Sequence, residues 1–117
     1  MKNIKDDTYY LNKMLTYINY INEYMKYIKE INGKLLPKNQ DSDGVIYKFI
    51  QLKEESSKLS EQLLISNPIL SKNIKLLNGF RNRLTHDYDN VSYDYFEEII
   101  NYDLIILSNE ILRILSK

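Results

Sequence analysis

The chain contains no cysteine. That removes disulfides and thiolate zinc sites, and it fits a reducing compartment. Tryptophan is missing too, and histidine occurs once, at His86. A single imidazole without thiolates rarely holds a transition metal, so no metal and no other cofactor is expected. No apolar run approaches the roughly 20 residues that a membrane span needs. The segment Met1–Thr8 is charged and lacks the apolar stretch of a signal peptide, so a cytoplasmic protein is the simplest expectation. Charge of one sign is also lacking: 16 basic residues stand against 16 acidic ones. Such a balance disfavours non-specific coating of nucleic acid, which rests on many phosphate contacts. It leaves room for an enzyme with a local basic site.

What remains is an ordinary globular composition, 44% hydrophobic and 27% charged. Its 117 residues are enough to bury a core without staples. With only three glycines and two prolines, breaks in regular structure are few. Two of the glycines and one proline fall within Asn32–Gly44, which reads as a loop. Asn32-Gly33 ends a helix, Pro37 blocks its continuation, and Asp41-Ser42-Asp43 offers caps for the next one. Ser66-Asn67-Pro68 reads as a second break.

Between these breaks the apolar spacing is helical. Over Asp7–Ile31 the residues Leu11, Met14, Leu15, Ile18, Ile21, Met25 and Ile28 form one stripe. Tyr10, Tyr17, Tyr20, Tyr24 and Tyr27 form a second, either edging the core with their hydroxyls in water or supplying a dimer face. A second helix is expected from near Asp43 to about Leu64, with Val45, Ile46, Phe49, Ile50, Leu59 and Leu63 inward. Its Ser56, Ser57 and Ser60 are small enough for close approach of a neighbour, and Glu54 and Glu55 are solvated or pair between helices. A third runs from Ile69 or Lys72 to Leu84, with Ile74, Leu77, Phe80 and Leu84 inward. The last starts after Ser92, a plausible N-cap, and runs from Tyr93 to about Leu115 on Phe96, Ile99, Ile100, Leu107, Ile111 and Leu115. No strand alternation is sustained. The expectation is an all-α antiparallel, up-down bundle of four main helices, with room for an extra short one.

One stretch differs from the rest. Gly79–Tyr88 holds the only histidine, two of the three arginines (Arg81 and Arg83, the third being Arg113), Asn82 and Tyr88. At about 100° per residue Asn82 and His86 share a helix face, whereas Arg81 lies roughly 140° from His86. The polar groups converge only along the bundle edge, and a second copy across a two-fold axis would complete a pocket. Metal-free RNA cleavage uses the ribose 2′-OH as nucleophile. It needs a proton carrier near neutral pH, which an imidazole of ordinary pKa about 6.5 provides. It also needs a cation on phosphate, which an arginine fork provides. His86, Arg81 and an orienting Asn82 fit these roles. The plain alternative is a histidine placed at a helix C-terminus for its dipole. Arg83, Lys72 and Lys75 are either further phosphate contacts or helix surface.

The stretch Arg81-Asn82-Arg83-Leu84-Thr85-His86-Asp87-Tyr88 resembles the Arg-x4-His-x-Tyr motif of HepT toxins, members of the HEPN superfamily. The segment Ile50–Ser60, ending Lys58-Leu59-Ser60, is similar to the family's second helix. Asn90–Ile100 is similar to its step into the last helix. Lys53 stands where the family usually has glycine, a serine stands where alanine follows, and the family's frequent tryptophan is absent. The resemblance implies one HEPN/HepT-like helical domain over residues 1–117, and a homodimer with facing Arg-x4-His motifs. It implies a ribonuclease acting on RNA, with transfer RNA as substrate class. It further implies a type VII toxin neutralised by an MntA-type minimal nucleotidyltransferase antitoxin, which transfers AMP to the motif tyrosine, here Tyr88. Two other readings stay open: a non-catalytic substrate-binding or scaffold partner of a nucleotidyltransferase, and a helical interaction domain with no site.

Overall fold

Apolar residues at alternating three- and four-residue steps wind the chain into helices whose stripes close on one another. The structure, a computed structural model, describes residues 4–31, 40–86 and 93–117. Helix α1 spans Ile4–Ile31, α2 Gln40–Ser56, α3 Glu61–Ser66 and α4 Pro68–His86. Helix α5 covers Tyr93–Glu98 and passes through a π-helical turn, Ile99–Asp103, into α6, Leu104–Leu115. Taking α5 to α6 as one rod, four long helices and one short one are present among the described residues, and no strand. The expected all-α bundle with an extra short helix is what forms. The predicted loop around Gly33 and Pro37, and the Ser92 cap, lie outside the described residues.

Pairs along the helices fix their directions. Near its C-terminal end α1 sets Tyr24 against Gly44 at the start of α2. Lys48 then lies over the rings of Tyr17 and Tyr20, at 5.6 and 5.0 Å. Lys13 meets Glu55 at 3.6 Å, and Asp7 meets Ser60. These pairs run in opposite order along the two helices, so α1 and α2 are antiparallel. Helices α4 and α6 are antiparallel by the same logic: Phe80 meets Phe96 at one end, and Arg113 reaches Asn67 at the other. The result is an up-down-up-down bundle in which α2 and α6 flank both α1 and α4.

The core follows the predicted stripes closely. On α1, Leu11, Met14, Ile18, Ile21, Met25 and Ile28 are buried, and Leu15 is half-buried. Leu52, Leu70 and Leu104 join the core without having been singled out in the sequence. At its centre Phe49 stands edge-on to Phe80 and Phe96, with ring centroids 5.5 and 5.4 Å away. The tyrosine stripe divides. Tyr10 and Tyr17 pack on the core, whereas Tyr20, Tyr24 and Tyr27 are exposed.

The second helix departs from expectation. It begins at Gln40, earlier than Asp43, and it ends at Ser56 instead of running on to Leu64. Leu59 and Leu63 keep helical spacing, but Ser60 adopts extended backbone (φ −70°, ψ 150°) and caps α3 by accepting from the Leu63 N–H at 3.2 Å. Its own N–H and hydroxyl donate to the two carboxylate oxygens of buried Asp7, at 2.7 and 2.5 Å. A carboxylate 53 positions away thus compensates the broken helix. Of the two readings of Glu55 the pairing between helices holds: it is buried, and it pairs with Lys13 of α1 at 3.6 Å and with Lys58 at 3.3 Å.

The Ser66–Pro68 break occurs as read. Asn67 donates from its side chain to the Leu63 carbonyl and accepts from Arg113 at 3.1 Å. Pro68 then occupies the first position of α4, where a missing N–H costs nothing.

Candidate functional site

Helix α4 continues without interruption to His86, two residues beyond the expected end at Leu84. Arg81, Asn82, Arg83 and His86 therefore all lie within its last two turns. The side chains of Arg81, Arg83 and His86 lie outside the described residues, and so does Tyr88 entirely. The helical backbone nevertheless fixes their register. Lys75, Gly79 and Asn82 follow steps of four and three, and all three are exposed. His86 takes the next position of that ridge, about 6 Å along the axis from Asn82 and about 40° around it. Leu70, Ile74 and Leu77 form a second ridge, and all are buried. Arg81 takes the next position of this inward ridge, about 140° from His86. Hence Asn82 and His86 follow one another in the register that continues the exposed Lys75 and Gly79, whereas Arg81 follows in the register of Leu70, Ile74 and Leu77.

That end is braced from within. Phe80 immediately precedes Arg81, is buried, and packs against Phe49 of α2 and Phe96 of α5. Two other helices therefore hold α4 just before the motif. Gly79 sits on the outer ridge with open space beyond its Cα, so another backbone can come close there. Lys72 and Lys75 are both exposed.

The third arginine is engaged elsewhere. Arg113 bonds both carboxylate oxygens of Glu110, at 3.0 and 2.9 Å, and also reaches Asn67. The bonds from Arg113 are the main reason that the Glu110 carboxyl is held below its ordinary range. Arg113 lies at the opposite pole of the bundle and plays a structural part, which leaves Arg81 and Arg83 as the arginines near His86.

The π-helical turn escaped the sequence reading. Leu104 donates its N–H to the Ile99 carbonyl, five residues back, which absorbs one extra residue. The adjustment lets Ile99 and Ile100 as well as Leu104, Leu107 and Ile111 face the core. It also brings Asp103 near Glu98. Burial, and secondarily Glu98, pushes the Asp103 carboxyl above its ordinary pKa. Such turns are frequent at functional sites, but no composition cue marks this one.

Among the described residues, no three His, Cys, Asp or Glu side chains gather as metal ligands. Nor is any described helix long and apolar enough to cross a membrane. No curated protein and no solved structure matches the chain. The sequence model of the family described as "Ribonuclease HepT-like" does match, over residues 14–114. That span takes in the greater part of α1, the helices that follow and the Arg81–His86 turns, and the chain belongs to this family of HepT-like ribonucleases.

Proposed function

We propose that the protein is the toxin of a type VII toxin–antitoxin pair, a metal-independent endoribonuclease with transfer RNA as its substrate class. The observation that supports this reading is the unbroken run of α4 to His86, whose register sets His86 one turn beyond the exposed Asn82. In this mechanism the ribose 2′-OH attacks the adjacent phosphorus, and the bond from phosphorus to the 5′ oxygen breaks. His86 carries protons between the attacking and leaving oxygens as general acid/base. Arg81 holds the phosphate oxygens and stabilises the charge that builds on them. Asn82 orients the imidazole or the substrate by hydrogen bonding. Arg83 and Lys75 add contacts to the RNA backbone.

The 140° between Arg81 and His86 favours a homodimer in which two copies of α4 meet. One subunit then supplies the histidine ridge opposite the other's arginine. Exposed apolar side chains on the neighbouring helices α4 and α6 support such a seam: Ile69, Leu76, Ile105, Ile106 and Leu112. So does the bare Gly79 on the outer ridge. In the same reading residues 1–117 act as one HEPN-type domain in the cytoplasm. An MntA-type nucleotidyltransferase antitoxin neutralises it by transferring AMP from ATP to Tyr88. The added phosphate would occupy the site beside Arg81 and repel an RNA backbone.

The test is cleavage of bulk transfer RNA in EDTA by the parent, His86→Ala and Arg81→Ala, with intact mass measured first. Loss of cleavage by about 100-fold or more is expected in each variant. Equal cleavage by His86→Ala would refute the mechanism, and so would no cleavage by a parent protein that carries no AMP. The seam is tested by sedimentation of Leu76→Glu/Ile105→Glu, which should be monomeric.

A further inference from the structure

The pole of the bundle opposite His86 contains a cavity of about 330 Å³, within the size range of small-ligand sites. It lies where the first turns of α1, the N-cap of α3 and the last turn of α6 meet. Leu11, Leu63, Ile114 and Leu115 line it with apolar surface. Asp7 also lines it, although its side chain is almost wholly buried.

Asp7 is an unusual wall for such a cavity. Its two oxygens accept from the Ser60 N–H and hydroxyl, at 2.7 and 2.5 Å. A carboxylate offers about four acceptor positions, so roughly half remain. Among the described residues no cation pairs with it. Lys117 lines the same cavity but makes no ion pair with Asp7. A buried carboxylate is stable only when hydrogen-bonded and compensated in charge. Ser60 supplies two hydrogen bonds and no charge.

We propose that this cavity is a second binding site, for a small primary ammonium carried on an aliphatic stem. The ammonium donates to the free acceptor positions of Asp7, and the stem lies against Leu11, Leu63, Ile114 and Leu115. Ser60 fixes the carboxylate in place, because it is the α3 cap and bonds both oxygens at once. The site lies apart from the Arg81–His86 turns and does not depend on the nuclease reading.

The experiment is an NMR titration of the full chain with hexylamine, and with hexan-1-ol as the neutral control. The Ser60 amide is the reporter, since it bonds directly to Asp7. Hexylamine should shift it saturably and bind at least about tenfold more tightly than the alcohol, as a charge-assisted bond requires. Asp7→Asn should bring the two within about twofold. Ser66→Trp replaces an exposed residue of the cavity lining, so it leaves the core intact even if Asp7→Asn fails to fold. In that variant hexylamine should no longer move the Ser60 amide. Equal affinity for amine and alcohol in the parent would overturn the proposal, as would an unchanged response in Ser66→Trp.

Discussion

Replacing Phe49 by alanine should cost about 3–5 kcal/mol, the range for removing a fully buried phenylalanine side chain. Phe49 has no exposed surface and stands edge-on to two other rings, Phe80 and Phe96. Each such pair adds about 0.5–1.5 kcal/mol beyond the buried area, which favours the upper half of that range. With about 2.1 cal/mol/K of unfolding entropy per residue, a chain of 117 residues has roughly 0.25 kcal/mol/K. The melting temperature should therefore fall by about 12–20 °C. Phe49→Leu keeps most of the volume and should cost about 1–2 kcal/mol, or about 4–8 °C. Thermal unfolding followed by circular dichroism gives the melting shift. Urea titration gives the free-energy cost and checks that the slope is unchanged, so that the comparison is one of stability alone. A drop below about 5 °C for Phe49→Ala at constant slope would mean that the three rings do not brace the bundle as their geometry implies. The consequence reaches the site, because Phe80 is the residue before Arg81.

Two further outcomes follow from individual contacts. Ser60→Ala removes the α3 cap and one charge-assisted bond to buried Asp7, and should lower stability by about 2–4 kcal/mol in urea titration; a loss below about 1 kcal/mol would count against the latch. Asp103→Asn should stabilise the protein at pH 7. Burial and Glu98 raise the folded-state pKa of Asp103, so its ionised form carries a penalty that is fully present above that pKa and vanishes below the ordinary carboxylate range. The gain should therefore shrink as pH falls towards 4 and, because the group is largely solvated, stay within about 1 kcal/mol in thermal melts at each pH.

Local spacing made much of this molecule legible. The α1 stripe from Leu11 to Ile28 reads as helix because each apolar residue recurs within one turn, and every such position proved buried or half-buried. Pro68 after Asn67 marked the start of α4 for the same local reason: proline fits the first helical position and few others. Asn82 and His86 could be placed on one face from a four-residue step alone. The end of α2 could not be read this way. Leu59 and Leu63 continue the helical spacing, and neither glycine nor proline interrupts it.

The sequence by itself determined the helical class, the apolar faces and the cluster of Arg81, Asn82 and His86, because these depend on neighbours within a turn or two. Tertiary structure alone decided the rest. The helix break at Ser60 needs a carboxylate 53 residues away. Burial of Glu55 needs lysines from two segments, and the π turn is set by which side chains of the last helix must face the core. The division of α4 into an exposed ridge through Lys75, Gly79 and Asn82 and a buried one through Leu70, Ile74 and Leu77 has the same origin. Spacing fixes the angle between two residues, but only packing fixes which of them faces the core.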